Sequence, residues 1–358
     1  MSEKENKRKT KIGFIGVGGM GQSAHLRSYV TIPECEVVAV ADLKFEQARQ
    51  VAIRYGISNA YPSYEELLKN EVVDALVVSQ TFWYHGSILP KVLQAGLPIF
   101  VEKPLASSIP AGEKIIAEME KANTWIMVGN HKRCEMAVTY GKKLIEDYKK
   151  KGNLGALKYV RMEMPPGDWR VNGFREHIRV DDSTISDLTK DAPDSDFSAE
   201  ENEKYIYLIN FYIHQINLIR YFLGESYRVT YADPSGVLLI GESKSGVPCS
   251  LEMDTYRSTI AWNEKAFISF EKGFIEMGLP APLAKNRPGW IRYFEDPDDS
   301  ETSPMVMTPD LPWEDAMRQQ ALQFIRAVRG EIEPPCSAYE ALEDLKNAKE
   351  YLNLLLKK

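Results

Sequence analysis

Lys11-Ile-Gly-Phe-Ile-Gly16-Val-Gly18-Gly19-Met20-Gly21 ends a short apolar run in a Gly-x-Gly-x-x-Gly signature, and a second apolar run at 37–41 delivers Asp42. The order strand, glycine turn, helix, strand, carboxylate is the arrangement that binds a dinucleotide. Gly16 lets the chain turn tightly off its strand, Gly18 leaves room for backbone to approach a pyrophosphate, and Gly21 lets helix and strand pack closely. The helix expected over about 20–30 aims its free N–H groups and partial positive charge at the phosphates. Asp42 follows Gly21 by 21 residues, near the spacing of a carboxylate that accepts ribose hydroxyls of NAD and repels a 2′-phosphate. NAD is therefore the expected coenzyme, while Lys44, two residues on, is placed to approach a 2′-phosphate and leaves NADP open.

Outward from this turn the pattern alternates. Strands are expected near 11–16, 37–41, 73–79, 98–102 and 125–129, separated by helices at about 20–30, 44–55, 63–70, 85–95 and 109–122. That rhythm predicts a Rossmann domain, a doubly wound parallel sheet, over 1–131. After a bridging helix at about 136–150 the strands lengthen, at 156–164, 227–233, 236–242, 247–256, 264–271 and 273–278. Several alternate apolar with polar residues, as in Ala266-Phe-Ile-Ser-Phe270, which predicts an open, largely antiparallel sheet with one face covered. Helices at about 313–329 and 337–355 complete a second α+β domain over 132–358. The polar stretch 181–204, with seven Asp or Glu between Asp187 and Glu203, reads as a solvated surface loop in preference to a lid or subunit arm.

The 358 residues suffice for two cores, and 44% apolar with 27% charged residues is ordinary for a globular protein. A net charge of −7 argues against a nucleic-acid partner, because phosphate binding needs a basic surface. The basic run at 4–11 reads as a frayed N-terminus, and with no secretory signal a cytoplasmic location is expected. Cys35, Cys134, Cys249 and Cys336 lie far apart without metal-ligand spacing, so neither a zinc site nor a disulfide framework is expected. The most apolar long helix candidate, 205–223, carries Asn210, His214, Asn217 and Arg220, groups that argue against a membrane span.

Two features move from coenzyme binding to catalysis. Glu102-Lys103-Pro104 follows the apolar strand residues Ile99 to Val101 directly, and residues leaving the carboxyl ends of such strands border the ligand crevice. A lysine at a strand end is commonly a surface charge, but the proline fixes the chain direction and suits a cis bond. The second feature is the row Asn210, His214, Asn217 and Tyr221, spaced i, i+4, i+7 and i+11 on one face of the expected 205–223 helix. Buried without partners, such groups would cost about 1–3 kcal/mol each. Either an internal hydrogen-bond network or the floor of a substrate cleft would satisfy them.

Together these residues resemble the Gfo/Idh/MocA family, the glucose-fructose oxidoreductases and inositol dehydrogenases. The resemblance runs from about Lys11 to Gly224 and more loosely beyond. It implies NAD(P)-dependent oxidation or reduction of a sugar, polyol or glycoside, with assembly into a dimer or tetramer through the second sheet. Carried over by position, it implies that Lys103 positions the reacting oxygen and that His214 is the general acid and base, with Asn210 beside it in the catalytic set. Many members have Asp at the position of Asn210; an amide holds no charge to stabilise imidazolium, so His214 is expected to be a weaker base here.

The same resemblance places Gly16, Gly18, Gly19, Met20, Gly21, Asp42, Gln80, Trp83, His85, Glu102 and Lys103 around the coenzyme, with Gln80-Thr81-Phe82 where Thr-Pro-Asn is typical. His131 and Arg133 in Val128-Gly-Asn-His131-Lys-Arg133 are expected at the substrate, as is Asn217. Trp169, Arg170 and Asn172, in the stretch from Asp168 to His177, combine a ring face with hydroxyl-reading groups suited to a sugar. Arg170, Arg175 and Arg179 equally suit a carboxylate or phosphate, and a salt-bridged loop is the plain alternative. Two other functions stay open: a redox-neutral, NAD-dependent glycoside-processing enzyme, and a non-catalytic dinucleotide-binding regulator.

Overall fold

β1 (Thr10–Ile15), β2 (Cys35–Ala41), β3 (Asn59–Tyr61), β4 (Ala75–Val78), β5 (Ile99–Val101) and β6 (Ile126–Val128) pair in parallel in the order β3-β2-β1-β4-β5-β6. β4, β5 and β6 are wholly apolar and buried, as strands covered on both faces must be. This computed structural model describes residues 8–181, 188–298 and 303–356. The strand order is that of a doubly wound dinucleotide-binding sheet, with the reversal between β1 and β4 placing the ligand crevice at their carboxyl ends.

Two compact units form. The first contains the described residues of Met1–Gly129 with Asn172–Asp196 and Met317–Leu342; the second contains Asn130–Val171 with the described residues of Phe197–Ala316 and Glu343–Lys358. The contiguous second domain expected at 132–358 therefore gives two of its segments to the first unit. In that unit a π-helical turn, Gly21–Leu26, precedes the short α1 (Arg27–Tyr29), where the sequence predicts one regular helix. α2 (Phe45–Tyr55), α3 (Tyr64–Asn70), α4 (His85–Val92) and α5 (Ile109–Lys121) follow in the expected places.

The acidic stretch at 181–204 departs from expectation, although 182–187 lie outside the described residues. Asp191 Oδ2 accepts the Gly86 N–H at 3.0 Å in the first turn of α4, and Asp194 Oδ2 accepts the Ile109 N–H at 3.4 Å at the start of α5. Carboxylates are favourable at helix N-termini, where N–H groups lack intrahelical partners. Part of this stretch is thus packed against the first unit and is not a solvated loop. Its last residues form α7 (Ala199–Phe211), begun by a Ser198–Glu201 capping box.

In the second unit α6 (Met136–Lys151) packs on a sheet ordered β14-β13-β12-β11-β7-β10-β9-β8 among the described residues. Its strands are β7 (Leu157–Met164), β8 (Tyr227–Ala232), β9 (Leu238–Ser243), β10 (Pro248–Met253), β11 (Glu264–Phe270), β12 (Gly273–Leu279), β13 (Trp290–Glu295) and β14 (Met305–Met307). Every pair is antiparallel except β7 with β10. Between α7 and β8 runs α8 (Ile213–Leu223), ended by Gly224 at φ +73°.

Within the first unit α9 (Ala316–Val328) returns to the Rossmann core. Phe324, fully buried, meets Tyr29, Phe100 and Trp125 edge-on with centroids 6.4, 5.8 and 5.8 Å away. The variant Phe324→Ala is expected to lose about 3–5 kcal/mol, the usual cost of such a core truncation. Urea unfolding with unchanged midpoint would contradict this packing role. The last helix is α10 (Ala338–Leu356).

Candidate active site

In the first unit the glycine turn is shaped as dinucleotide binding requires. Gly16 has φ +90°, a region L side chains rarely adopt, and a Cβ there would stand 2.5 Å from the Ser79 carbonyl oxygen. A Cβ on Gly21 would collide with the Gly16 carbonyl oxygen, whereas among the described residues no heavy atom beyond its own chain neighbours lies within 4 Å of where a Gly18 Cβ would project. The turn is therefore tight where backbone meets backbone and bare on the side a pyrophosphate would approach. Gly19 borders the Phe174 ring, and Met20 is the residue before the π-helical turn.

Asp42 follows β2 as expected. Its Oδ2 accepts the Val17 N–H at 2.8 Å and its Oδ1 accepts the Lys44 N–H at 2.9 Å. Burial pushes its carboxyl pKa up against these hydrogen bonds and the Lys44 charge. A carboxylate offers about four lone-pair sites, so Asp42 retains acceptors for ribose hydroxyls while bracing the turn. These residues fit a nicotinamide dinucleotide: Gly16 to Gly21 for the pyrophosphate, Asp42 for the adenosine ribose, and the chain after β4 and β5 for the nicotinamide half.

After β5, the Glu102 carboxylate forms a close pair with His25 Nε2 and accepts the Lys103 N–H at 3.0 Å. Burial opposes ionisation of Glu102, but the His25 imidazole and the Lys103 ammonium outweigh it and hold its carboxyl below the ordinary range. Burial also pushes the Lys103 pKa down, with the Glu102 charge pulling back. The Lys103–Pro104 peptide is cis, as the proline suggested. His25 was not a sequence candidate; its only signal is its place four residues past Gly21, on the helical turn that faces β5.

Two coenzyme candidates have well-defined internal partners. His85 is fully buried with Nδ1 at 3.1 Å from the Leu105 carbonyl and Nε2 at 3.2 Å from that of Gln80, so its ring ties together the chain after β4 and β5. Burial lowers its pKa. Trp83 stacks on Phe82 at 5.1 Å with the Lys190 ammonium over its ring at 5.4 Å. Gln80, whose carbonyl His85 holds, is half-buried beside Gly16.

In the second unit the turn His131–Cys134 meets α8. The His214 Nδ1 lies 3.1 Å from Asn130 Oδ1. An amide oxygen only accepts, so this contact is a hydrogen bond in the forms of the imidazole that carry a proton on Nδ1. The His131 ring stands edge-on to it, centroids 4.5 Å apart. Arg133 Nε donates to Asn217 Oδ1 at 2.7 Å, Asn217 Nδ2 donates to Asp344 Oδ2 at 2.6 Å, and Arg220 pairs with Asp344. The Arg133 guanidinium also lies over the Tyr221 ring at 4.6 Å. Arg133 and Asn217, expected at the substrate, are thus buried members of a network that sets α8 against the turn bearing His131.

One expectation needs correction. The single helix at 205–223 is interrupted at Tyr212, whose φ of −110° and ψ of 1° are not helical. His214, Asn217 and Tyr221 share α8, while Asn210 is exposed on α7, off the uninterrupted face the spacing implied. Asn130, 84 positions from His214, is the partner that sequence spacing missed. The stretch from Asp168 to His177 is likewise divided. Trp169 and Arg170 stay in the second unit, with Trp169 half-buried and Arg170 exposed beside the Asp168 turn, whereas Asn172, at φ +64°, begins the segment that joins the first unit. Among the described residues no cluster of three or more His, Cys, Asp or Glu is arranged to hold a metal ion, and no helix is long and apolar enough to cross a membrane.

A parallel sheet in Rossmann order with this glycine turn and an acidic β2 terminus defines a dinucleotide-binding protein. Residues 10–130 match the model of the GFO_IDH_MocA oxidoreductase family, NAD-binding Rossmann fold. By this match residues 10–130 are similar to the NAD-binding Rossmann unit of the Gfo/Idh/MocA oxidoreductases, and the coenzyme they fit is NAD or NADP. Myo-inositol 2-dehydrogenase of Thermotoga maritima is 24% identical over 237 residues, 65% of this chain and 60% of the relative. Inositol 2-dehydrogenase of Acidothermus cellulolyticus is 34% identical over 132 residues, 36% of this chain and 38% of the relative. The matched regions therefore span less than two thirds of these curated relatives. A dehydrogenase from Chromobacterium violaceum superposes with a TM-score of 0.70 at 17% identity, covering 97% of this chain and 95% of the other. At that identity the likeness is one of fold.

Proposed function

We propose that the protein is an NAD(P)-dependent dehydrogenase of a sugar, polyol or glycoside, exchanging a hydride between the nicotinamide and a carbinol or carbonyl carbon. The observation that carries this reading is the seating of His214, whose Nδ1 lies 3.1 Å from the Asn130 amide oxygen, a contact that orients the imidazole. The bound coenzyme supplies the hydride acceptor or donor. His214 takes the hydroxyl proton during oxidation and returns it during reduction, the general acid–base task for which histidine is most often used. In the first unit the Lys103 ammonium is suited to hold an oxygen and stabilise negative charge developing on it, with Glu102 and His25 fixing its strand end. The sugar and polyol classes are supported by the names of the inositol dehydrogenases above.

A panel of polyols, aldoses, uronates and glycosides with NAD and NADP, followed by nicotinamide absorbance, tests the reading. A substrate-dependent rise with at least one polyol or sugar is expected. Glycoside cleavage without net absorbance change would replace it with the redox-neutral reading, and tight NAD binding without turnover across the panel would replace it with a regulator.

A further inference from the structure

Residues 172–180 lie along the glycine turn and α2 of the first unit. The contacts are specific. Phe174 borders Gly19, its ring 3.6 Å from where a Cβ would project. Gln22, buried, donates from Nε2 to the Ile178 carbonyl at 2.9 Å and accepts the Ile178 N–H at 2.8 Å. Gln47, also buried, accepts the Val180 N–H at 3.4 Å. Both glutamine Nε2 groups also donate to the Val17 carbonyl inside the turn, at 2.6 and 3.0 Å. Arg54 on α2 donates to the Glu176 carbonyl, and Ile178 packs on the core beneath. The segment is a strap fastened to the coenzyme half-site by two buried amides.

Its last contact bears on coenzyme choice. Lys44 follows Asp42 by two residues and its own N–H is bonded to Asp42 Oδ1, so its side chain starts beside the carboxylate that reads the ribose. A cation at such a position is what neutralises a 2′-phosphate in NADP-binding sites. Here the Lys44 Nζ donates to the Val180 carbonyl at 3.0 Å, an acceptor that the strap delivers. A 2′-phosphate would have to displace this bond and would then still face the Asp42 charge.

Resting on the coenzyme reading above, we propose that the strap 172–180 is a coenzyme-specificity element: by engaging Lys44 through Val180 it withholds that ammonium from a 2′-phosphate and makes the protein select NAD over NADP. Selectivity then depends on strap attachment as well as on Asp42.

Fluorescence titration of the full-length protein with NADH and NADPH tests this without turnover. Wild type is expected to bind NADH tighter by about tenfold or more, the worth of one charge-assisted contact. Lys44→Ala is expected to change NADPH affinity by less than about threefold and to speed amide hydrogen exchange in 172–180, since the ammonium holds the strap and not the phosphate. Releasing the strap with Gln22→Ala and Gln47→Ala together weakens both coenzymes but is expected to raise the NADPH-to-NADH affinity ratio by about fivefold. Adding Lys44→Ala to that pair is expected to cancel the rise. Circular dichroism of each variant confirms the fold, and exchange within 172–180 reports strap release independently of binding. Equal wild-type affinities, or a loss of NADPH affinity of about tenfold or more in Lys44→Ala alone, would overturn the proposal. Failure of both nucleotides to bind would remove the coenzyme reading and this proposal together, an outcome distinct from binding that ignores the strap.

Discussion

Replacing His214 by alanine is expected to lower turnover by about 10²- to 10⁴-fold, the usual contribution of a positioned general base, while NADH affinity stays unchanged. The two effects separate because the residues that fit the coenzyme, Gly16 to Gly21 and Asp42, form their contacts within the first unit, whereas His214 is held by Asn130 in the second. Asn130 acts through the imidazole and is a positioning residue, so Asn130→Ala is expected to give a smaller loss and to change the acid limb of the kcat/KM profile. Asn130→Asp places a carboxylate at Nδ1, stabilises the imidazolium and is expected to move that limb to higher pH. A His214→Ala rate within about tenfold of wild type, in a folded protein, would refute the acid–base role.

The second large effect is expected at Lys103. Lys103→Met keeps the length of the side chain and removes its charge, and kcat is expected to fall by about 10²- to 10³-fold, as when a donor to a developing oxyanion is deleted. pH provides the sign. Burial holds the Lys103 pKa below its ordinary value, and the ammonium is the form that binds the reacting oxygen. Activity should therefore fall as pH rises through this lowered pKa, and the alkaline limb should move upward in Lys103→Arg, whose guanidinium stays charged. An alkaline limb unchanged in Lys103→Arg, or a Lys103→Met variant retaining wild-type kcat, would assign the lysine a structural role.

Much of this arrangement is legible along the chain, for identifiable reasons. The glycine turn and Asp42 are local: each glycine answers to contacts within one βαβ unit, so spacing alone carries the reading. The apolar runs of β1, β4, β5 and β6 follow from burial on both faces of a parallel sheet, and the cis Lys103–Pro104 bond was signalled by its proline. β3, β13 and β14 went unread, since β3 and β14 are only three residues long and neither alternates strongly. Tyr212 breaks what composition predicts as one helix, moving Asn210 off the face of His214.

What sequence by itself determined is the class of chemistry: a dinucleotide turn, a carboxylate after β2, and Lys103 and His214 in places where a family resemblance gives them roles. Tertiary structure alone decided their partners. Asn130 reaches His214, His25 reaches Glu102, and Val180 reaches Lys44 across separations of 84, 77 and 136 residues. Helical and strand periodicities constrain neighbours a few positions apart. Pairings at these distances exist only because sheet order and the return of 172–196 to the first unit bring the backbones together.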